Sequence, residues 1–173
     1  MNQKKELFAF AFSVAFLPPF WAVVSPYVGV STGAVALICA GVFAAGGSNP
    51  KDALKTSLSF LTGDVWAVLS LWLQQKLPLP ANLGLYTIFF ALGGVAVLVC
   101  GALPRIFHTP SWLAGWAIGV TIIPSFDAMG TLPVQIGVAM LVGVYYVGLG
   151  CAALQNCLLG RKKADTPGGI SEK

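Results

Sequence analysis

The chain has 173 residues, of which 57% are hydrophobic and only 9% charged, with a formal net charge of +4. A soluble domain carries about 25% charged residues, so this composition excludes one and describes an integral membrane protein held by the lipid bilayer. The basic residues sit in loops and tails rather than between aromatics on one face, which argues against a nucleic-acid partner.

In chain order, six apolar spans are expected, at about 7–25, 28–45, 54–74, 83–103, 111–126 and 132–157. The first carries Pro18-Pro19, whose missing N–H groups break the helical ladder and bend it. Lys4-Lys5 ahead of it has the look of a signal peptide. Cleavage there would remove a span and put the basic C-terminal tail outside, so the segment is read as a retained span. Pro26 and Gly29 turn the chain into the second span, and Gly46-Gly47-Ser48-Asn49-Pro50 breaks it before the third. Residues 56–73 then hold a single charge, Asp64.

Leu77-Pro78-Leu79-Pro80 reads as an exposed turn, and Thr109-Pro110 as a helix cap with proline at the first helical position. From Pro110 to Ile123 is about 14 residues, or roughly 21 Å, short of a hydrocarbon core about 30 Å thick. Residues 124–131 are therefore read as candidate re-entrant backbone. Residues 1–160 make one membrane domain, and the polar stretch 161–173 reads as a disordered tail.

Charge sets the expected orientation. With the N-terminus inside, one face of the membrane holds Lys4, Lys5, Lys51, Lys55, Arg105, Arg161, Lys162, Lys163 and Lys173, and the other holds Lys76 alone. That asymmetry argues for both termini in the cytoplasm, with the chain crossing the membrane several times.

A repeat follows. Gly41-Val42-Phe43-Ala44-Ala45, the break, and the helix through Gly63-Asp64-Val65-Trp66 recur as Gly119-Val120-Thr121-Ile122-Ile123, a break from Pro124 to Pro133, and a helix through Gly143-Val144-Tyr145-Tyr146. Each half, about 7–74 and 83–157, contains three spans, and an odd number turns the second half upside down. The expected fold is all-α, six transmembrane helices in an inverted 3+3 repeat, an arrangement characteristic of transporters and channels.

Small residues recur at helix-contact spacing: Gly29, Gly33, Ala36, Ala40 and Ala44; Gly115 and Gly119; Ala139, Gly143 and Gly150. They suit close helix packing within the chain and also offer contacts for a homo-oligomer. Gly63 and Gly143 hold equivalent repeat positions, so the third and sixth spans are expected to cross there.

Asp64 is the sharpest candidate site. It lies roughly 15 Å from the start of its helix, near the bilayer centre, where a charge costs about 2.5–3.5 kcal/mol. It should face the protein interior or water, binding a cation or polar solute or carrying a proton; the structural alternative is a protonated group bonded to a neighbour. Trp66 and Tyr146 are candidates to line the crossing, and Thr121 and Tyr145 to offer hydroxyls at mid-depth. Arg105 and His108 read as a boundary pair, and Asp127 as a solvated loop charge. Cys39, Cys100, Cys151 and Cys157 fall in apolar spans without metal-ligand spacing and read as reduced thiols. No catalytic set or phosphate loop is present, so neither an enzyme nor a cofactor is expected.

Phe43-Ala44-Ala45-Gly46-Gly47 leading to Gly63-Asp64-Val65-Trp66-Ala67, with Pro110-Ser111-Trp112-Leu113-Ala114-Gly115 and the later Gly143 helix, resembles a family of bacterial inner-membrane proteins filed as a domain of unknown function, DUF1097. The resemblance covers about residues 10–160 and implies a cytoplasmic-membrane protein with no established activity. Three functional readings follow: a channel or facilitator for a small polar solute between the inverted halves, a proton-coupled carrier using Asp64, and a non-transporting scaffold or accessory protein.

Overall fold

The structure, a computed structural model, describes residues 3–78, 80–125 and 130–160. Every regular element among these residues is a helix. α1 runs Gln3–Val24, a 3-10 turn follows at Ser25–Val28, and α2 is short, Val35–Ala45. α3 spans Ala53–Lys76, α4 Ala81–Ala102 and α5 Thr109–Ile122. The last rod is continuous from α6, Leu132–Val142, through a π-helical segment, Gly143–Leu149, to α7, Gly150–Leu158. Four rods are long and apolar enough to cross a membrane: Lys5–Val28, Pro50–Lys76, Asn82–Ala102 and Leu132–Leu158. By helix length and hydropathy this is a multi-pass membrane protein. α2 and α5, of 11 and 14 residues, cover only about 17 and 21 Å at about 1.5 Å per residue.

The second span is shorter than expected. Gly29 adopts φ +78°, a left-handed conformation that closes the 3-10 turn, with its N–H donating to the Pro26 carbonyl at 3.1 Å. Residues 31–34 form a further turn, and helix resumes only at Val35. Gly29 is therefore no part of a helical stripe, and of the alanines in line with it Ala36 and Ala40 are buried while Ala44 is exposed. Pro18 and Pro19 both lie inside the uninterrupted α1. The break after α2 uses Gly47 at φ +92° and Ser48 at φ +51°. Asn49 then caps the next turn, its side chain accepting from the Lys51 N–H at 3.1 Å. His108 rather than Thr109 holds the cap position of α5, one residue earlier than expected. Asp127 and half of the supposed re-entrant loop, residues 126–129, lie outside the described residues, as does the tail 161–173.

Helix contacts sort the rods into two groups. In one, α3 packs on α5 almost backbone to backbone. A Cβ on Gly63 would collide with the Trp112 carbonyl and lie 2.7 Å from the Trp116 nitrogen, and a Cβ on Gly115 would collide with Phe60. α4 joins this pair through Trp66, whose Nε1–H donates to the Leu92 carbonyl at 3.1 Å. Trp116 Nε1–H donates to Ser70 Oγ at 2.7 Å, which in turn donates to the Trp66 carbonyl at 2.7 Å. In the other group the π segment packs on α2, where a Cβ on Gly143 would lie 2.8 Å from that of Cys39 and 2.9 Å from the Ala36 Cα. α1 rests on α7, and the Cys151 thiol donates to the Ser13 carbonyl at 3.4 Å. Side chains fill the seam between the groups: Phe43, Phe60, Ile118, Ile136, Met140 and Val144 are buried together.

Gly63 and Gly143 thus both sit at helix crossings but do not meet each other. The close approaches are α3 with α5 and the last rod with α2, because those are the pairs whose backbones leave no room for a side chain. Lipid supplies no hydrophobic drive between helices, so this intimate van der Waals contact is what holds each group. Gly63→Val and Gly115→Val should each destabilise by about 2 kcal/mol or more through overpacking. Gly94→Ala, where an added Cβ meets nothing within 4 Å, should leave the thermal melting of detergent-purified protein unchanged.

Candidate functional site

Asp64 is only 6% exposed. It shares one face of α3 with Leu61 three residues before it and Ser57 seven before, the spacing of a 3.6-residue helix. That face meets α5 and α6 at two glycines. A Cβ on Gly119 would lie 3.2 Å from Asp64 Oδ1, and one on Gly137 would lie 4.0 Å from Oδ2. On the α5 side the carboxyl therefore occupies space that exists because Gly119 lacks a side chain, while at Gly137 the approach is ordinary van der Waals distance. Oδ1 is fully buried and has no hydrogen-bond partner among the described residues.

That arrangement is costly. A buried polar atom without a partner forfeits about 1–3 kcal/mol, and a buried unpaired charge several kcal/mol more. A proton on the carboxyl, or a cation beside it, removes the cost of the unpaired charge. Ser57 is also buried, and its Oγ likewise lacks a partner; the two groups stand about 10.5 Å apart along the helix.

The other expected residues are not brought to Asp64. Trp66 is two positions along, about 200° around the helix, and turns to α4 and to Trp112, with ring centroids 5.4 Å apart. Thr121 is exposed, and its hydroxyl donates to the Ala117 carbonyl at 2.7 Å. Tyr145 is 44% exposed. Tyr146 packs against the small cluster of Ala36, Ala40 and Val147, at the last rod's contact with α2. Of the five, only Asp64 occupies the seam.

A cavity of about 140 Å³ opens at one end of that seam. Val42, Phe43 and Gly46 of α2 form one wall; Asp52, Lys55, Thr56 and His108 form the other. His108 is held firmly: its backbone N–H donates to Ser59 Oγ at 2.7 Å, and its Nδ1 lies 2.8 Å from Ser111 Oγ. Burial first, and the Lys55 ammonium second, hold its imidazole below the usual value, with Asp52 opposing. Arg105, its expected boundary partner, is exposed and does not line the cavity. Sequence reasoning missed Gly137, Ser57 and this cavity. Only Ser57 carried a signal, its i−7 spacing from Asp64.

Residues 11–156 match the family described as Protein of unknown function (DUF1097), and the chain belongs to that family. No curated protein and no solved structure matches it.

The His108 shift has a definite sign. An imidazole held low stays neutral in the folded protein while the unfolded chain takes up its proton near pH 6.5. Its stabilising contribution is full above that pH and is lost as pH falls through it. The melting temperature should therefore drop from pH 7.5 to 5.5, and drop less in His108→Gln.

Proposed function

We propose that this DUF1097 protein is a proton-coupled carrier of a small polar solute in the cytoplasmic membrane of a bacterium. Asp64 takes up and releases the coupling proton. The observation that carries the reading is a carboxyl whose Oδ1 is buried with no partner among the described residues, at the seam between two helix groups, a placement that is expensive as structure and useful as a proton site.

The proposed architecture is two inverted three-helix repeats with both termini in the cytoplasm. Exchanging the halves turns the α3–α5 contact into the contact of the last rod with α2, and the α4–α3 contact into that of α1 with α7; both kinds occur. The short helices α2 and α5 hold matching positions in the two halves, as interrupted segments do around transporter sites. Within each group one helix pair, α3 with α5 and the last rod with α2, packs backbone on backbone and is stiff. Between the groups they run through flexible side chains such as Leu61 and Met140, so the groups can rock about Asp64.

In this state Asp64 Oδ1 is buried beside Gly119, and the proton is held there. Rocking toward the cytoplasm would join it, past Ser57, to the cavity of Thr56, Lys55 and His108, where water accepts the proton. A facilitator using the same seam without coupling is the second reading, but a permanently open path would leave Asp64 wetted, and it is 6% exposed. A scaffold has no need of an unanswered carboxyl. No His or nucleophile hydrogen-bonds Asp64 among the described residues, so catalysis forms no part of the proposal.

Reconstituted into liposomes with an imposed proton gradient, the wild type should accumulate at least one member of a panel of small polar solutes, and a protonophore should abolish that accumulation. Asp64→Asn should end it. Asp64→Leu should melt no lower than wild type, since it removes an orphan costing about 1–3 kcal/mol, yet accumulate nothing. Uptake by Asp64→Leu at the wild-type rate would contradict the proposal.

A further inference from the structure

We propose that the cavity at the end of the seam binds a small α-amino acid with a short side chain, and that this molecule is the carried solute. The cavity's volume, about 140 Å³, is below the roughly 300–1,000 Å³ typical of pockets for drug-sized ligands, so it suits only a small molecule. One wall is apolar, from Val42 and Phe43; the other carries a carboxylate, Asp52, and an ammonium, Lys55. His108 adds no charge at neutral pH, because its imidazole is held below the usual value. Among the described residues, Lys51 and Arg105 are not part of the lining.

Thr56 is the group that asks for a ligand. It is 4% exposed, it lines the cavity, and its hydroxyl bonds to no described residue. A helical threonine often turns its hydroxyl back to the carbonyl four residues before, as Thr62, Thr87 and Thr121 do here at 2.7–2.8 Å. Thr56 makes no such bond to the Asp52 carbonyl, so its hydroxyl stays available on the cavity wall. Asp52 and Lys55 are open in the same way. Three residues apart at the start of α3, they are spaced to pair, yet no salt bridge joins them among the described residues.

A simple anion would answer Lys55 and Thr56 but meet the Asp52 carboxylate. A cation would answer Asp52 but meet the Lys55 ammonium, and a sugar would bring a counter-charge to neither. A zwitterion answers all three. Its carboxylate accepts from Lys55 and Thr56, its ammonium donates to Asp52, and a short side chain lies against Val42 and Phe43. Thr56 is eight residues before Asp64 on α3, about 12 Å along the helix, so solute and coupling proton occupy neighbouring stations of one path. Naming the amino acid as the carried solute rests on the carrier reading; its binding does not.

The test is isothermal titration calorimetry on purified full-length protein in detergent. The probes are glycine, L-alanine and L-serine, with propionate and L-alaninamide, which lack the amine and the free carboxylate of alanine. At least one of the three amino acids should bind saturably, and the tightest should exceed propionate and L-alaninamide by about tenfold or more, the weight of a hydrogen bond to a charged group. Thr56→Val removes a hydroxyl that has no partner among the described residues, so it should melt no lower than wild type and bind about tenfold more weakly. Asp52→Asn, on an exposed residue, should lose most of the preference over propionate. Absence of saturable binding by all three amino acids would overturn the proposal. So would propionate or L-alaninamide binding as tightly, or Thr56→Val binding as wild type does. If Thr56→Val does not fold, an undiminished preference over propionate in Asp52→Asn overturns it instead. Binding without proton-driven uptake in liposomes upholds the site and counts against the carrier; uptake of another solute without amino-acid binding does the reverse.

Discussion

A buried carboxyl oxygen, Asp64 Oδ1, that no described neighbour answers is the constraint around which this molecule is arranged. Asp64 lies in the seam between α3, α5 and α6, and the two glycines beside it make room without offering a donor. Any larger residue at Gly119 would press on the carboxyl, and a hydrogen-bonding one would satisfy it. The chain does neither. It keeps a polar atom dry and unpaired, at a cost a membrane protein with otherwise apolar spans had every means to avoid.

The surrounding packing makes that cost bearable. Helices in lipid gain nothing from hiding apolar surface from water, so they hold together where backbones come close enough for dense van der Waals contact. Gly63 and Gly115 provide this between α3 and α5, and Gly143 provides it against α2. The Trp66 indole then fastens α4 to the first pair, and the Trp116 indole bonds α5 to α3 through Ser70. Two stiff groups result, with a softer, side-chain-filled boundary between them. The unpaired carboxyl lies on the soft boundary, where a small relative motion changes its surroundings most.

Much of this was legible in the chain. The six apolar runs appear as helices because length and hydropathy report helix existence well. The shortness of α5 followed from counting residues between Pro110 and Ile123, and the burial of Asp64 from the energetic cost of a mid-bilayer charge. The shortness of α2 was hidden: residues 28–34 are as apolar and small as the helix they precede, and Gly29 reads equally as a packing residue and as a left-handed turn. Directions were hidden too. Trp66 was grouped with Asp64 by nearness in sequence, although two helical positions point nearly opposite ways. Thr121 and Tyr145 lie on outward faces, since depth along a helix says nothing about azimuth. The π segment through Gly143 carries no sequence signal, and it is what rotates Tyr145 and Tyr146 relative to a regular helix.

The central claim is that position 64 is reached by water from one side of the membrane at a time. Asp64→Cys, in a background with Cys39, Cys100, Cys151 and Cys157 replaced, can be exposed to a membrane-impermeant thiol reagent from either face of sealed, oriented vesicles. Slow labelling is expected, from one face in a given condition, with the reactive face changing when the proton gradient is reversed. Fast labelling from both faces at once, or reaction only with a lipid-soluble reagent, would contradict the claim.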